Sequence, residues 1–149
     1  MVNENLKLRG DVALVLKDKN GNVKEKREIN NLIVTAGLTF ICSRMSAASA
    51  DVMSHMALGS GTTAAAAGQT DLVSILGSRE ALDSSTASSN TITYVSSFEA
   101  GEGTGAVTEA GIFNAASSGT MLCRTVFSVV NKEADDTMSV TWTITLTAS

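Results

Sequence analysis

The chain has 149 residues and a mass of 15.4 kDa, which is the size of one domain with a real hydrophobic core. Hydrophobic residues make up 44% of it and charged residues only 17%, against a usual charged share of about 25%, so the composition argues against a disordered chain. The net charge is −4, and no basic run is interleaved with aromatic residues, which argues against a nucleic-acid-binding protein.

The N-terminal stretch MVNENLKLRG has no apolar signal core, and no run approaches the ~18 apolar residues of a membrane span. We therefore expect synthesis in a cytoplasm and no membrane partner. Cys42 and Cys123 lie far apart, and neither has a metal-ligand neighbour at CxxC spacing. Both are predicted to be buried free thiols because both lie in apolar runs.

The first predicted element is a β-hairpin. Val12, Leu14 and Leu16 alternate with more exposed positions, and Asn20-Gly21 is the strongest short hairpin signal in a sequence. The return strand, NVKEKREI, is nearly all charged, so it is predicted to form a sheet edge.

This N-terminal segment also differs from the rest in charge. Residues 1–31 hold seven of the eleven basic residues and five acidic ones, so they carry +2 while the remainder carries −6. We interpret 1–31 as a charged hairpin that acts as a docking arm, and 32–149 as a β-sandwich domain. The alternative is a solvated hairpin whose charges only maintain solubility. The candidate docking residues are Lys7, Arg9, Lys17, Lys19, Lys24, Lys26 and Arg27.

The stretch TAGLTFICSRMSA then changes to a helical period. Leu38, Ile41, Cys42 and Met45 fall at i, i+3, i+4 and i+7, which predicts one buried helix face, with Thr35 as N-cap. The expected helix spans 35–47, about three turns.

The remaining elements are mostly strands. Strands are predicted over 52–59, 78–86, 90–100, 107–113 and 120–130, with a helical turn in TDLVSIL capped by Thr70. The last strand is the clearest: apolar residues from Met138 to Leu146 alternate strictly with Ser and Thr. About eight strands with Gly- and Ser-rich turns predict a mainly β fold, an antiparallel, jelly-roll-like β-sandwich with one short α-helix and the N-terminal hairpin.

No stretch predicts catalysis. His55 is the only histidine, and no G-x-S-x-G elbow accompanies it, so it is interpreted as structural. Glu99, Glu102 and Glu109 lie close in sequence, but glycan hydrolysis also needs aromatic platforms, and the chain has one Trp and one Tyr. Glu109 and Arg124 could instead pair across two strands, a contact worth a few tenths of a kcal/mol if exposed.

Two loops resemble binding motifs only superficially. Asp18, Asn20 and Asn22 match the first positions of a calcium loop, but Val23 and Ile29 occupy the sixth and twelfth positions, where Gly and Glu are needed. In GEGTGAVTEAG the sixth residue is Ala106, and β-branched Val107 and Thr108 come next, so the stretch departs from the phosphate-binding pattern. We therefore predict turns here, with no metal, no cofactor and no enzyme activity.

Several stretches together resemble small bacteriophage virion structural β-proteins. These stretches are NLIVTAGLTFICSRM, ALGSGTTAAAAGQTDL and the long segment from NTITYVSSFEA to SVTWTITL, which cover roughly 31–147. The recurring pattern is a Leu-Gly-small-Gly-Thr-Thr loop, a Gly-rich link, a Glu-Ala-Gly-Ile-Phe-Asn strand and a closing Thr-rich strand with Trp. It falls on Leu58–Thr63, Gly101–Gly105, Glu109–Asn114 and Thr137–Leu146.

The resemblance implies a capsid decoration (cement) protein on the surface of the assembled phage head. Its partners would be the major capsid protein and itself, as a homotrimer that multiplies weak contacts through effective concentration. The alternative is a tail, collar, baseplate or fibre component of the virion. A carbohydrate-binding surface module is a weaker alternative, because it would need exposed aromatic residues.

Overall fold

The computed structural model describes residues 4–46 and 50–148. Strands account for 54% and helix for 6% of the fold, which is two antiparallel sheets with one short helix and an N-terminal hairpin. The predicted mainly β, antiparallel sandwich is therefore confirmed. The ends of several predictions lie outside the described residues: 1–3 of the hairpin segment, 47 of the helix and 149 of the sandwich segment.

The first sheet contains the N-terminal hairpin and the C-terminal strand side by side. Its charged outer strand is an edge, as predicted from the sequence, and the opposite edge is a short strand of Ser, Thr and Ala. In spatial order the strands are β2 (Val23–Asn30), β1 (Leu6–Lys17), β10 (Thr137–Ala148), β7 (Thr91–Phe98) and β6 (Ser84–Ser88).

The second sheet is built around two long strands that the sequence predicts well. Its edges are two-residue strands, which offer little backbone for unwanted pairing. In spatial order the strands are β3 (Leu32–Ile33), β9 (Met121–Lys132), β8 (Gly105–Phe113), β4 (His55–Gly59) and β5 (Glu80–Ala81). The helix α1 (Thr35–Ser43) follows β3 and packs on β9.

The main core lies between the two sheets. Alternate residues of β1 and β10 face it, so the period of two in both sequences is confirmed. Trp142 at the centre of β10 is fully buried, and its Nε1 donates to Asn31 Oδ1 over 3.1 Å. The core side chains of these two strands are Val12, Leu14, Leu16, Met138, Val140, Trp142 and Ile144.

The hairpin strands lie inside the first sheet. β1 pairs with β10 along its whole length, from Leu6 opposite Ala148 to Lys17 opposite Thr137. Residues of the hairpin therefore share one core with the rest of the sandwich. The turn forms as expected: the Asp18 carboxylate accepts the N–H groups of Asn20 and Asn22, and Gly21 has φ +81°.

The helix differs from its prediction in cap, length and orientation. Its N-cap position is Val34 rather than Thr35, without a side-chain cap, and the helix ends at Ser43. The predicted inward face is wrong, because Leu38 and Met45 are 41% and 86% exposed and Cys42 is also exposed. The reason is Gly37, where a Cβ atom would lie 2.0 Å from the Leu122 carbonyl oxygen. The helix therefore turns Gly37 toward the sheet. The spacing of apolar residues in the sequence does not predict this orientation.

Residues 60–79, which we call the covering segment, lie over the outer face of the second sheet. The predicted helical turn within it is wrong: the chain is irregular there, and Ile75 forms an isolated bridge with Gly59. The predicted strand over 78–86 is two short strands, β5 and β6, in different sheets. Beneath the covering segment lies a second, smaller core of Val34, Ala57, Leu72, Phe113 and Met121.

Candidate functional site

The densest polar contacts lie under the covering segment, around one buried ion pair. Glu109 of β8 and Arg124 of β9 are diagonal neighbours, and the side chains of both are 0% exposed. The predicted cross-strand pairing is therefore present, but the pair is fully buried rather than exposed. The covering segment excludes water from it.

The Glu109 carboxylate holds the covering segment at two places, its start at Gly61 and residues 73–74. Its Oε1 accepts the N–H groups of Gly61 over 2.9 Å and Ser74 over 2.8 Å. Its Oε2 accepts the N–H of Val73 over 3.1 Å and Arg124 Nε over 2.9 Å. Gly61 allows this close approach, since a Cβ there would lie 2.5 Å from Oε1. The carboxylate is thus occupied by structural donors.

The Arg124 guanidinium binds the middle of the same segment. Its Nη1 donates to the Thr63 carbonyl and to Gln69 Oε1, both over 2.9 Å, and its Nη2 lies 2.8 Å from Glu109 Oε2. The ion pair therefore fixes the path of a segment that has almost no secondary structure of its own. Chemically, this arrangement positions the backbone of the covering segment.

Arg79 closes the covering segment at its far end. Its guanidinium lies 3.6 Å from the centroid of the Phe113 ring, and its Nη1 donates to the carbonyls of Ala115 and Ser118 over 3.0 and 2.7 Å. Asn114, directly after β8, accepts the N–H of Thr120 and donates to the Asp51 carbonyl. These contacts join the segment to the β8–β9 turn.

A second buried cation holds the loops at one end of the sandwich. Lys132 is 1% exposed, and its Nζ donates to the carbonyls of Glu99 over 2.9 Å and Asp136 over 2.7 Å. Burial lowers the pKa of Lys132, although the carboxylates of Asp136, Glu102 and Glu99 oppose that shift. No motif in the sequence marks Lys132 as a functional residue.

The predicted docking residues fall into two groups. Arg9, Lys24 and Arg27 are held by partners within the chain: Asp11, Asp136 and, for Arg27, Glu25 with two carbonyls of β9. The hydrogen bond and ion pair with Asp136 raise the pKa of Lys24 despite the opposing effect of desolvation. The other four residues, Lys7, Lys17, Lys19 and Lys26, are exposed.

Three of these exposed lysines share a surface. Lys7 and Lys17 have the outward parity of β1, and Lys26 lies opposite the outward-facing Val15. They therefore stand on the solvent face of the first sheet, beside rows of Ser and Thr from β10 and β7. We call Lys7, Lys17 and Lys26 the lysine face. Its role in docking stays a prediction.

The residues considered for catalysis, His55, Glu99, Glu102 and Glu109, do not make one shared set of contacts. Ser54 Oγ lies 2.8 Å from His55 Nδ1, and no hydrogen bond joins this imidazole to a carboxylate in the described part of the chain. Glu102 accepts the N–H of Glu99 in the β7–β8 loop, whereas the Glu109 carboxylate accepts the N–H of Gly61, so the two carboxylates hold different loops. Cys123 is buried, as predicted, and burial raises its thiol pKa well above the usual value, whereas the predicted burial of Cys42 is wrong.

Within 4–46 and 50–148, no group of three His, Cys, Asp or Glu side chains could hold a metal ion. The one helix in this part of the chain has nine residues, too short to cross a bilayer. Comparisons with protein-family models, curated proteins and solved structures find no match for this chain.

The ion pair gives stability a defined pH dependence. Burial alone raises the pKa of Glu109, but the N–H groups of Ser74, Val73 and Gly61 and the Arg124 guanidinium outweigh it, so the pKa is lowered. The unfolded chain, with a Glu pKa of about 4.3, then binds more protons than the folded chain below that pH. This contribution is present above pH about 4.3 and is lost as pH falls through the lower folded pKa.

We therefore expect the melting temperature to fall between pH 6 and pH 3. The Glu109→Gln variant should melt lower than the wild type at pH 6, and the gap should narrow as pH falls, because protonation removes the same charge from the wild type. Calorimetry at each pH measures both values. Glu28→Gln, which removes an exposed carboxylate, is the control and should show no such gap. A gap for Glu109→Gln that is constant with pH would contradict this assignment.

Proposed function

We propose that this chain is a structural protein of a bacteriophage virion, a decoration protein on the outside of the assembled head. In this role it would bind several coat subunits and stabilise the contacts between them without performing chemistry. The proposal is carried by one observation, which links the motifs of the resemblance to the ion pair.

Two of the recurring motifs contact each other. The Glu of the Glu-Ala-Gly-Ile-Phe-Asn strand is Glu109, and it accepts the N–H of Gly61 in the Leu-Gly-small-Gly-Thr-Thr loop. Arg124 donates to Thr63 at the end of that loop, and Asn114, the last residue of the strand motif, ties the β8–β9 turn. These two motifs of the resemblance therefore form one structural unit, which supports the proposal.

The fold also suits a protein under mechanical load. The covering segment and the end loops are fixed by buried charged groups, Glu109, Arg124 and Lys132, rather than left mobile. Such contacts resist local opening, since each buried charge is costly to leave without its partners. A cement protein that reinforces a pressurised shell needs this property more than it needs a cleft.

The lysine face is the proposed contact with the coat. It lies on the solvent face of the first sheet, beside Ser and Thr rows of β10 and β7 and also beside Asp11 and Glu28. The small Ser and Thr side chains would let an acidic coat surface approach the lysines without displacing bulky groups. The remainder of the chain carries −6, which would direct this face rather than another toward an acidic partner. Repetition over many sites would then raise the overall affinity.

The test is the copy number per virion of the phage that encodes the chain, measured by quantitative mass spectrometry against the major capsid protein. Hundreds of copies in a simple ratio to the coat are expected for a decoration protein. A handful would make it a tail, collar, baseplate or fibre component and would overturn the head location. None at all would overturn the virion role.

A second arm of the same experiment tests the lysine face. The triple variant Lys7→Gln, Lys17→Gln, Lys26→Gln should bind particles that lack the protein about tenfold more weakly, with a smaller dependence on salt. The control introduces the same change in charge at exposed loop positions elsewhere: Thr62→Glu, Ala116→Glu and Ser117→Glu. Equal binding by the two triple variants would contradict docking through the lysine face.

A further inference from the structure

The tip of the N-terminal hairpin carries an asparagine whose side chain makes no hydrogen bond in the described part of the chain. Asn20 is exposed, and only its backbone N–H is engaged, donating to the Asp18 carboxylate over 2.9 Å. The next residue, Gly21, is also exposed, and a Cβ atom added to it would have nothing within 4 Å. The Asn20 carboxamide therefore lies in solvent next to an unhindered backbone nitrogen.

The other asparagines lack this combination. Each is followed by a residue with a Cβ atom, which hinders the approach of the next backbone nitrogen to the carboxamide. Several also use the carboxamide in hydrogen bonds. Asn22 Nδ2 donates to the Asp18 carboxylate over 3.3 Å, and Asn90 Nδ2 donates to a backbone carbonyl over 2.8 Å. Asn114 accepts one backbone N–H and donates to one backbone carbonyl. Asn20 is therefore the most reactive asparagine that the sequence and the fold provide.

The reaction that these features permit is cyclisation followed by hydrolysis. The Gly21 nitrogen attacks Asn20 Cγ, so a new Cγ–N bond forms while the Cγ–Nδ2 bond breaks, and Nδ2 leaves as ammonia with the proton of the Gly21 N–H. Water then cleaves one of the two carbon–nitrogen bonds of the cyclic imide. Cleavage at Cγ gives an aspartyl residue. Cleavage at the backbone carbonyl carbon of residue 20 gives an isoaspartyl residue, in which the main chain runs through Cγ. Either product carries a new carboxylate, and water is the only co-reactant.

The turn has to open before the Gly21 nitrogen can react. The Gly21 N–H donates to the Asp18 carbonyl over 3.0 Å, and the Asp18 N–H donates to the Asn22 carbonyl over 2.9 Å. Both bonds lie at the tip of the hairpin, where residues 19–22 are all exposed. Exposed loop tips open locally at a much lower free energy than the strands behind them. The nitrogen is therefore released while the sandwich stays folded.

We propose that Asn20 is a site of spontaneous deamidation in the folded protein, and that its isoaspartyl product disrupts the hairpin turn. The aspartyl product retains the turn, because Asp-Gly suits a tight hairpin turn as well as Asn-Gly does. The isoaspartyl product adds one methylene group to the main chain between Asp18 and Asn22, so the two backbone hydrogen bonds of the turn lose their geometry. The modification depends on the turn alone and is independent of the proposed role in a virion.

The test is to age the folded full-length chain in mildly alkaline buffer and to map its peptides by mass spectrometry at intervals. Asn20 should gain the mass difference between an amide and an acid at least about tenfold faster than Asn22 or Asn90, which corresponds to about 1.4 kcal/mol in activation free energy. Fragment ions separate Asn20 from Asn22 within one peptide, and an isoaspartyl methyltransferase identifies the isoaspartyl product. A sample digested before ageing corrects for deamidation during digestion.

The Asn20→Asp variant separates the effect of the new charge from that of the altered main chain. Its amides at Asp18 and Gly21 should keep the hydrogen-exchange protection of the wild type, whereas the purified isoaspartyl form should lose it. Deamidation of Asn20 no faster than that of Asn22 or Asn90, or only after unfolding in urea, would overturn the site. An isoaspartyl form with wild-type protection would overturn its effect on the turn. These measurements use the free protein, so the copy number in virions does not bear on them.

Discussion

Replacing Arg124 with methionine is expected to lower the free energy of unfolding by about 3–5 kcal/mol, the usual cost of removing one partner of a buried ion pair. The Glu109 carboxylate would remain under the covering segment with its backbone donors but without its counter-charge. Methionine fills much of the arginine volume, so the loss reports on charge and hydrogen bonds more than on a cavity. For a chain of this size the melting temperature should fall by about 6–20 °C.

The measurement is urea unfolding together with hydrogen exchange of individual amides. Protection should fall most at Gly61, Val73 and Ser74, because these N–H groups depend on the Glu109 carboxylate. Arg9→Met is the control: the Arg9 side chain is 74% exposed beside Asp11, and its loss should change stability by less than about 0.5 kcal/mol. If Arg124→Met were no more destabilising than Arg9→Met, the ion pair would not hold the covering segment.

The burial of this ion pair could not be foreseen from the sequence, although the pairing could. Glu109 and Arg124 lie on adjacent strands that the sequence predicts, so their proximity follows from strand order. The covering segment, however, is rich in Ala, Gly and Thr and has no period, and its path is set by side chains more than 30 residues away. Long-range contacts of this kind leave no local signal.

Lys132 has a weaker signal in the sequence than the ion pair. It stands two residues after the buried Val130 on β9, so alternation alone gives it the inward parity. A lysine on the inward side of a strand requires carbonyl or carboxylate partners, and the loops that follow β7 and β9 supply them. The inward position of Lys132 could be predicted from the alternation of β9, but its carbonyl partners could not.

Strands with a strict period of two were the most predictable elements, because one buried face determines their register. β1 and β10 illustrate this, as their alternating residues face the core as expected. The orientation of α1 could not be predicted, because the helix lacks a single apolar face of the kind that orients these strands. Its residues are apolar on both sides, so the contact between Gly37 and the Leu122 carbonyl, rather than the apolar pattern, decides which face turns inward.

Deleting residues 1–31 is expected to leave a chain that does not fold. The deletion removes β1 and β2, so β10 loses one of its two partner strands, and with β1 go the buried side chains of Val12, Leu14 and Leu16. Burial of three such side chains stabilises a fold by about 5–9 kcal/mol, similar to the entire stability of about 5–15 kcal/mol of an ordinary domain. The deletion also leaves the backbone groups on one edge of β10 without their β1 partners. It removes Asn31 as well, whose side chain accepts the hydrogen bond from Trp142 Nε1.

Far-UV circular dichroism and amide chemical-shift dispersion measure the outcome: disordered spectra or aggregation are expected for the deletion. Deletion of residues 1–5 is the matched control, because β1 begins at Leu6, and this variant should melt within a few degrees of the full chain. A folded, cooperative product from the longer deletion would mean that 32–149 is an independent domain. If it fails to fold, a docking role for the hairpin must be tested by substitutions on the lysine face, which keep β1 in place.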